Sequence, residues 1–203
     1  MIIGLTGPIC AGKNLVAALL EERGFPVLDV DKLGHKALDM EKDRILSQFG
    51  SDLLKTEGEN QSTIDRKRLG AIVYKNAEKL AALEAIVHPA ANRLSEEWAA
   101  SQKGHCVVNA ALLHKSTLIK KIERIILVKA PFLTRLIRLK RRDKLPWSGI
   151  LKRIASQKDF YTQYLSLKAE IYIVENPGLR RNPGSKAKMK LADQIDKFAE
   201  GIK

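Results

Sequence analysis

The chain has 203 residues, 45% of them hydrophobic and 29% charged, enough for one substantial core with a smaller part appended to it. Thirty-six Lys and Arg against 23 Asp and Glu give a formal charge of +13, which suits an anionic partner, nucleic acid and polyphosphate alike. Cys10 and Cys106 have no spacing that suggests a disulfide framework or a zinc site, and no apolar run approaches the roughly 20 residues that cross a bilayer, so a soluble protein of the reducing cytoplasm, without membrane attachment, is expected.

In chain order, Ile2 to Thr6 is a short apolar run ending at Gly7, and Lys13 to Arg23 carries Val16, Leu19 and Leu20 at helical spacing before Gly24, which reads as strand, loop, helix. A second strand is predicted at Val27 to Val30 and a helix over Asp31 to Phe49. Further strands fall at Cys106 to Ala110, Arg124 to Val128 and Ile171 to Glu175. Five strands alternating with helices predict an α/β fold, a five-stranded parallel sheet covered on both faces. Between the second and third strands, Ile64 to Ala100 is mostly helical, with Pro89 interrupting it. It is too long for a simple crossover and predicts a helical subdomain. Arg135 to Arg153 is strongly basic, with Pro146, Trp147 and Gly149 breaking the pattern in the middle, as two helices of a lid would. Pro177 to Gly184 reads as a surface loop and Lys186 to Lys203 as a last amphipathic helix.

Gly7-Pro8-Ile9-Cys10-Ala11-Gly12-Lys13-Asn14 matches GxxxxGK[ST] at every defined position but the last, and it lies between a predicted strand and a predicted helix. Backbone N–H groups of such a loop, with the positive end of the helix it opens, cradle phosphate oxygens, and the lysine reaches the β- and γ-phosphates. Gly7 to Leu15 are therefore the candidate ATP-binding residues, with Lys13 catalytic. Asn14 stands where a Ser or Thr hydroxyl ordinarily ligates Mg2+. It is the candidate metal residue, and its longer amide arm must push the ion outward or leave a water between. Asp29 and Asp31, two apart at a strand end, are predicted to point to one face at the carboxyl edge of the sheet. One could accept a hydroxyl proton or hold magnesium; alternatively Asp31 caps the helix that follows.

Several segments stand in the order found in the dephospho-coenzyme A kinase family: Ile3-Gly4-Leu5-Thr6-Gly7, Val27-Leu28-Asp29-Val30-Asp31, Ile64-Asp65-Arg66-Lys67-Arg68-Leu69-Gly70 and Leu83-Glu84-Ala85-Ile86-Val87-His88-Pro89. Arg142-Asp143, Arg153-Ile154-Ala155-Ser156-Gln157 and Tyr172-Ile173-Val174-Glu175-Asn176 continue it. The chain resembles that family over residues 3 to 176. The resemblance implies a nucleotide-binding core (1–60 and 101–203), a helical substrate-binding insertion (61–100) and a lid (135–157). It also implies transfer of the ATP γ-phosphoryl group to the ribose 3′-hydroxyl of dephospho-coenzyme A. In that reading Asp31 is the catalytic base, Thr6 lies near the acceptor, Asn176 lies near the adenine, and Arg66 and His88 belong to the substrate site. Arg138 and Arg142 are the arginines that meet the migrating phosphoryl group. The sequence departs from the family at Asn14, at Pro8 and Cys10 where small glycines are usual, and at Ala111 to Lys115, where Pro-Leu-Leu-Phe-Glu is expected. These departures keep open a weakly active protein that binds ATP or a coenzyme A precursor, and a P-loop kinase with another small acceptor. Nucleic acid is disfavoured, since aromatic residues are 5% of the chain and Arg135 to Arg153 offers only Trp147 for base stacking. The sequence specifies no oligomeric state.

Overall fold

The computed structural model describes residues 1–55, 63–165, 167–177 and 186–202. In chain order these form β1 (Ile2–Thr6), α1 (Lys13–Glu21), β2 (Val27–Asp29), α2 (Val30–Met40), α3 (Lys42–Phe49), β3 (Leu54–Lys55), β4 (Thr63–Ile64), α4 (Arg66–Val73) and α5 (Ala77–Ser101). There follow β5 (Cys106–Asn109), β6 (Ile122–Lys129), α6 (Phe132–Asp143), α7 (Trp147–Ala155), α8 (Thr162–Leu165), β7 (Glu170–Glu175) and α9 (Lys186–Glu200). The chain divides into two compact units, Met1–Asp29 with Gln102–Lys203, and Val30–Ser101.

The first unit is built on a five-stranded sheet of order β2-β5-β1-β6-β7, and every pairing in it is parallel, as the alternation of strands and helices predicts. Parallel neighbours need crossovers, and crossovers bury both faces. Ile3 and Leu5 of β1, with Val107, Ile126, Val128 and Val174, pack under Val16, Leu19 and Leu20 of α1 and Leu191, Ile195 and Phe198 of α9. Residues of the opposite parity, Val108, Ile125 and Leu127, are equally buried, so the strands read as unbroken apolar runs. β1 lies at the centre of the sheet. Whatever follows Thr6 therefore emerges at the middle of the carboxyl edge.

α6 and α7 form a hairpin whose contact is apolar: Leu139, Ile150 and Ile154 are buried together, with Ile9, Cys10, Leu136 and Leu145 against them. The break between the two helices is narrower than expected. Lys144 ends α6 in a left-handed conformation (φ 53°) and Pro146 precedes the first residue of α7. Trp147 and Gly149 lie inside α7, because Pro146, with its ring-fixed φ, is suited to start a helix. From residue 178, the expected surface loop Pro177 to Gly184 lies outside the described residues, as does Lys203 of the last helix.

In the second unit, α2 and α5 meet through Ala37, Ala90 and Ala91, small side chains that let two helix backbones approach. Ile45, Leu53, Ile64, Leu69, Val73 and Ile86 make its core. Asp65 caps α4, its carboxylate accepting from the N–H groups of Lys67 and Arg68, both at 3.0 Å, which accounts for an acid at that point of the Ile64 to Gly70 segment. The expected insertion 61–100 falls within this unit, which also takes in α2, α3 and β3. Two expectations are corrected here. Pro89 does not interrupt α5, which runs through it unbroken; the proline removes one donor to the carbonyl of Ala85, while Ile86 on one side and Ala90 and Ala91 on the other are held by packing. The helix expected over Asp31 to Phe49 is two helices, divided at Glu41.

Candidate active site

The loop between β1 and α1 is bent by two left-handed residues, Cys10 (φ 60°) and Gly12 (φ 101°). Ala11 N–H donates to the Pro8 carbonyl at 2.9 Å, and the Gly12 carbonyl accepts from Leu15 N–H (3.0 Å) and Val16 N–H (3.3 Å) as α1 begins. The bend wraps the backbone round the start of α1, where N–H groups of the first turn leave the helix unsatisfied by it and the peptide dipoles add positive potential. Gly12 is required twice over, by its φ and because a Cβ there would lie 2.1 Å from Asn176 Nδ2. Gly7 is required by close approach, its Cβ falling 2.9 Å from the Val128 carbonyl oxygen. Cys10 has no such licence; a non-glycine residue in this region costs about 1–2 kcal/mol, set against the packing of its side chain on the α6–α7 hairpin. Burial there pushes the Cys10 thiol pKa up, and the guanidinium of Arg142 pulls it part of the way back.

The outward carbonyls of this loop are fastened by side chains from far along the chain. Arg135 Nε donates to the Ile9 carbonyl (2.9 Å), and Arg138 Nη1 to the carbonyls of Cys10 (3.1 Å) and Ala11 (3.3 Å). Asn176 Nδ2 donates to the Ala11 carbonyl (2.8 Å), Asn176 Oδ1 accepts from Arg138 Nη2 (3.2 Å), and Asn176 N–H donates to the Lys129 carbonyl (2.7 Å). Gln157 Oε1 takes the Ile9 N–H at 2.7 Å. With carbonyls tied to guanidinium groups on one side, the loop's shape is preset. Bonds of this charge-assisted kind contribute about 1.5–3 kcal/mol each.

Among the residues singled out from sequence, Gly7 to Leu15, Thr6, Arg138, Arg142 and Asn176 all belong to the first unit. Thr6 is buried at the end of β1 and donates its hydroxyl hydrogen to the Tyr164 hydroxyl (3.4 Å), which lies 3.2 Å from His114 Nδ1. Burial, with Lys115 adding to it, lowers the His114 pKa. Lys13 is half-buried as the first residue of α1, and Asn14 and Leu15 are exposed. Arg138 is engaged with the loop backbone. Arg142 forms a two-pronged pair with Asp143, Nε at 2.6 Å and Nη2 at 3.2 Å, and Arg153 meets the same carboxylate.

Asp31, Arg66 and His88 belong to the second unit. β2 stops at Asp29 and α2 starts at Val30, so strand alternation does not govern Asp31, and its expected place at a strand end is corrected. Asp31 lies exposed in the first turn of α2, where the helix dipole favours a carboxylate. Arg66 pairs with Asp39 at 2.7 Å, and His88 is exposed on α5. Lys115 is exposed in a short 3-10 turn, Leu113–Lys115.

Three side chains at the loop are not among the site residues expected from sequence: Arg135, Gln157 and Asn109. Asn109 ends β5, is 2% exposed, and donates from Nδ2 to Asn14 Oδ1 at 3.5 Å. Its own Oδ1 is buried and accepts no hydrogen bond among the described residues. Magnesium takes hard oxygen ligands, carbonyls among them. The Asn14 carbonyl, on an exposed side chain that Asn109 Nδ2 orients, therefore fits the ion that accompanies a nucleoside triphosphate. The sign for Asn109 is a lone polar residue at the carboxyl end of an apolar strand.

A parallel sheet whose central strand ends in this loop and opens a helix is that of the P-loop kinases. The family model of dephospho-CoA kinase matches residues 1–179. The chain is 33% identical over 183 residues to the dephospho-CoA kinase of Treponema denticola, covering 87% of this chain and 82% of that one. To the enzyme of the same name from Shouchella clausii it is 35% identical over 189 residues, 90% and 92% of the two chains. The structure of dephospho-CoA kinase from Campylobacter jejuni superposes with a TM-score of 0.69 at 26% identity, covering 98% of each chain. The chain belongs to the dephospho-CoA kinase family.

Proposed function

We propose that this chain transfers the γ-phosphoryl group of ATP to the ribose 3′-hydroxyl of dephospho-coenzyme A, giving coenzyme A and ADP, the last step in making that cofactor. The observation that carries the reading is the phosphate loop, preset by Arg138 and Asn176 at the carboxyl edge of the sheet, in a chain whose family is that of the named kinases. The bond between the β–γ bridging oxygen and phosphorus breaks, a bond from phosphorus to the 3′-oxygen forms, and the hydroxyl proton passes to a base.

Phosphoryl transfer asks little covalent chemistry of a protein; it asks for in-line placement and positive charge on the moving group. The N–H groups at the start of α1 seat the phosphates. Lys13 places its ammonium on the β- and γ-oxygens. Arg142 exchanges its Asp143 partner for the migrating group, and Arg138, seated on the loop carbonyls, is the second arginine that meets it. Asp31 is the base that takes the 3′-hydroxyl proton, with Arg66, His88 and Thr6 in the acceptor site and Asn176 at the adenine end. Asn14, oriented by Asn109, is the residue that would hold magnesium, which would supply positive charge against that of the triphosphate. A reducing cytoplasm suits a protein with two free thiols, Cys10 and Cys106, and among the described residues no helix is long and apolar enough to cross a membrane.

The test is a coupled ADP-release assay with ATP and magnesium, supplied in parallel with dephospho-coenzyme A, a nucleoside monophosphate and no acceptor. Release only with dephospho-coenzyme A, and product bearing a 3′-phosphate, is expected. Release with the nucleotide instead would overturn the reading.

A further inference from the structure

Asn14 and Asn109 come from positions 95 residues apart. β5 lies next to β1 with Leu5 opposite Asn109, and the Ala110 N–H donates to the Leu5 carbonyl at 3.0 Å. That pairing brings the end of β5 level with the last turns of β1 before the phosphate loop. Asn109 is 2% exposed, and burying an amide with its carbonyl unsatisfied is costlier than burying an aliphatic side chain of similar size. A packing role would be served better by valine. Among the described residues the amide's hydrogen bond runs to the side chain at the position where P-loop enzymes keep a magnesium-binding hydroxyl, and the end of a neighbouring strand is where they keep an acid. Both places hold neutral amides here.

We propose that Asn14 and Asn109 act as one neutral unit toward the divalent ion. Asn109 Nδ2 orients the Asn14 carbonyl, using one of its lone pairs and leaving the other for the ion. This rests on the ATP-site reading above. Because neither side chain is charged, the pair contributes less to the ion than a carboxylate would, and the nucleotide carries the larger share of the metal's affinity. A carboxylate at position 109 would reverse that balance.

The experiment needs no turnover. Mn2+ is titrated into the full chain saturated with ADP, and free Mn2+ is read by electron paramagnetic resonance for the unmodified protein, Asn109→Asp, Asn109→Val, Asn14→Ala and the Asn14→Ala/Asn109→Val double variant. Residues that orient metal ligands typically change metal affinity by about 10- to 100-fold. Asn109→Asp is expected to bind Mn2+ at least about tenfold tighter, and to gain more in melting temperature on adding Mg2+ than the unmodified protein does. Asn109→Val is expected to bind more weakly, and the double variant to be no weaker than the weaker single one, since each change disables the same unit. Should Asn109→Asp not fold, the Asn109→Val and Asn14→Ala cycle decides alone. Wild-type Mn2+ affinity in the Asn109 variants, with ADP binding intact, overturns the proposal. If those variants titrate as expected but the unmodified chain leaves dephospho-coenzyme A untouched, the functional reading fails and the amide unit stands.

Discussion

Replacing Gly12 by alanine tests how the phosphate loop is held. The new Cβ would stand 2.1 Å from Asn176 Nδ2 and 3.6 Å from Arg138 Nη1, so Asn176 must move. Moving it breaks its 2.8 Å bond to the Ala11 carbonyl and strains the 3.2 Å bond it receives from Arg138. A neutral bond contributes about 1 kcal/mol and a charge-assisted one about 1.5–3. The left-handed backbone at φ 101° adds about 1–2 kcal/mol for any residue with a Cβ. With some relaxation the sum is about 3–5 kcal/mol, which for a chain of this size lowers the melting temperature by about 10 °C. Calorimetry on the variant measures it, and the KM for ATP should rise with it. The steric share separates in a cycle with Asn176→Gly: in that background Gly12→Ala should cost only the backbone part, about 1–2 kcal/mol. A Gly12→Ala protein that melts within 2 °C of the parent, with an unchanged KM, would refute the reasoning.

Lys13→Ala should lower kcat by at least about a hundredfold with an unchanged circular dichroism spectrum, since it removes a charge aimed at the β- and γ-phosphates and little packing; retained turnover sinks the assignment. Asp31→Asn should lower kcat by about 10²–10⁴ while ATP binding by calorimetry holds, because an amide cannot take the hydroxyl proton; a change in stability alone would leave Asp31 a helix-end charge. Hydrogen bonding from Arg142, with Arg153 nearby, holds the Asp143 carboxyl below the usual carboxylate range. A depressed folded-state pKa stabilises the α6–α7 turn above the unfolded value, near pH 4, and the stabilisation is lost as pH falls through the folded value. Melting curves from pH 6 to pH 2 should therefore show a decline that is smaller in Asp143→Asn, and equal declines would count against the pair.

The phosphate loop was legible from Gly7 to Asn14 because its chemistry is local: a glycine pattern, a lysine and a strand-to-helix change all lie within one stretch of chain. The parallel sheet was legible for a related reason, since strands buried on both faces must be apolar throughout, and five such runs alternate with helical ones. The substitutions at Asn14 and Cys10 could also be seen, although not that Cys10 is held left-handed against the α6–α7 hairpin. Asp31 was misplaced onto a strand end because one residue decides where β2 gives way to α2. Pro89 was read as a break because its local cost is visible in sequence and the packing of Ile86, Ala90 and Ala91 that outweighs it is not. Only the tertiary structure could put β5 beside β1, and with it Asn109 beside Asn14, or bring Asn176 to the Ala11 carbonyl across 165 residues and Gln157 to the Ile9 N–H across 148. Strand order is fixed by pairing and packing between distant segments, which leaves no periodic mark on any one of them. The side chains that hold the loop in shape are therefore dispersed along a sequence that shows the loop itself plainly.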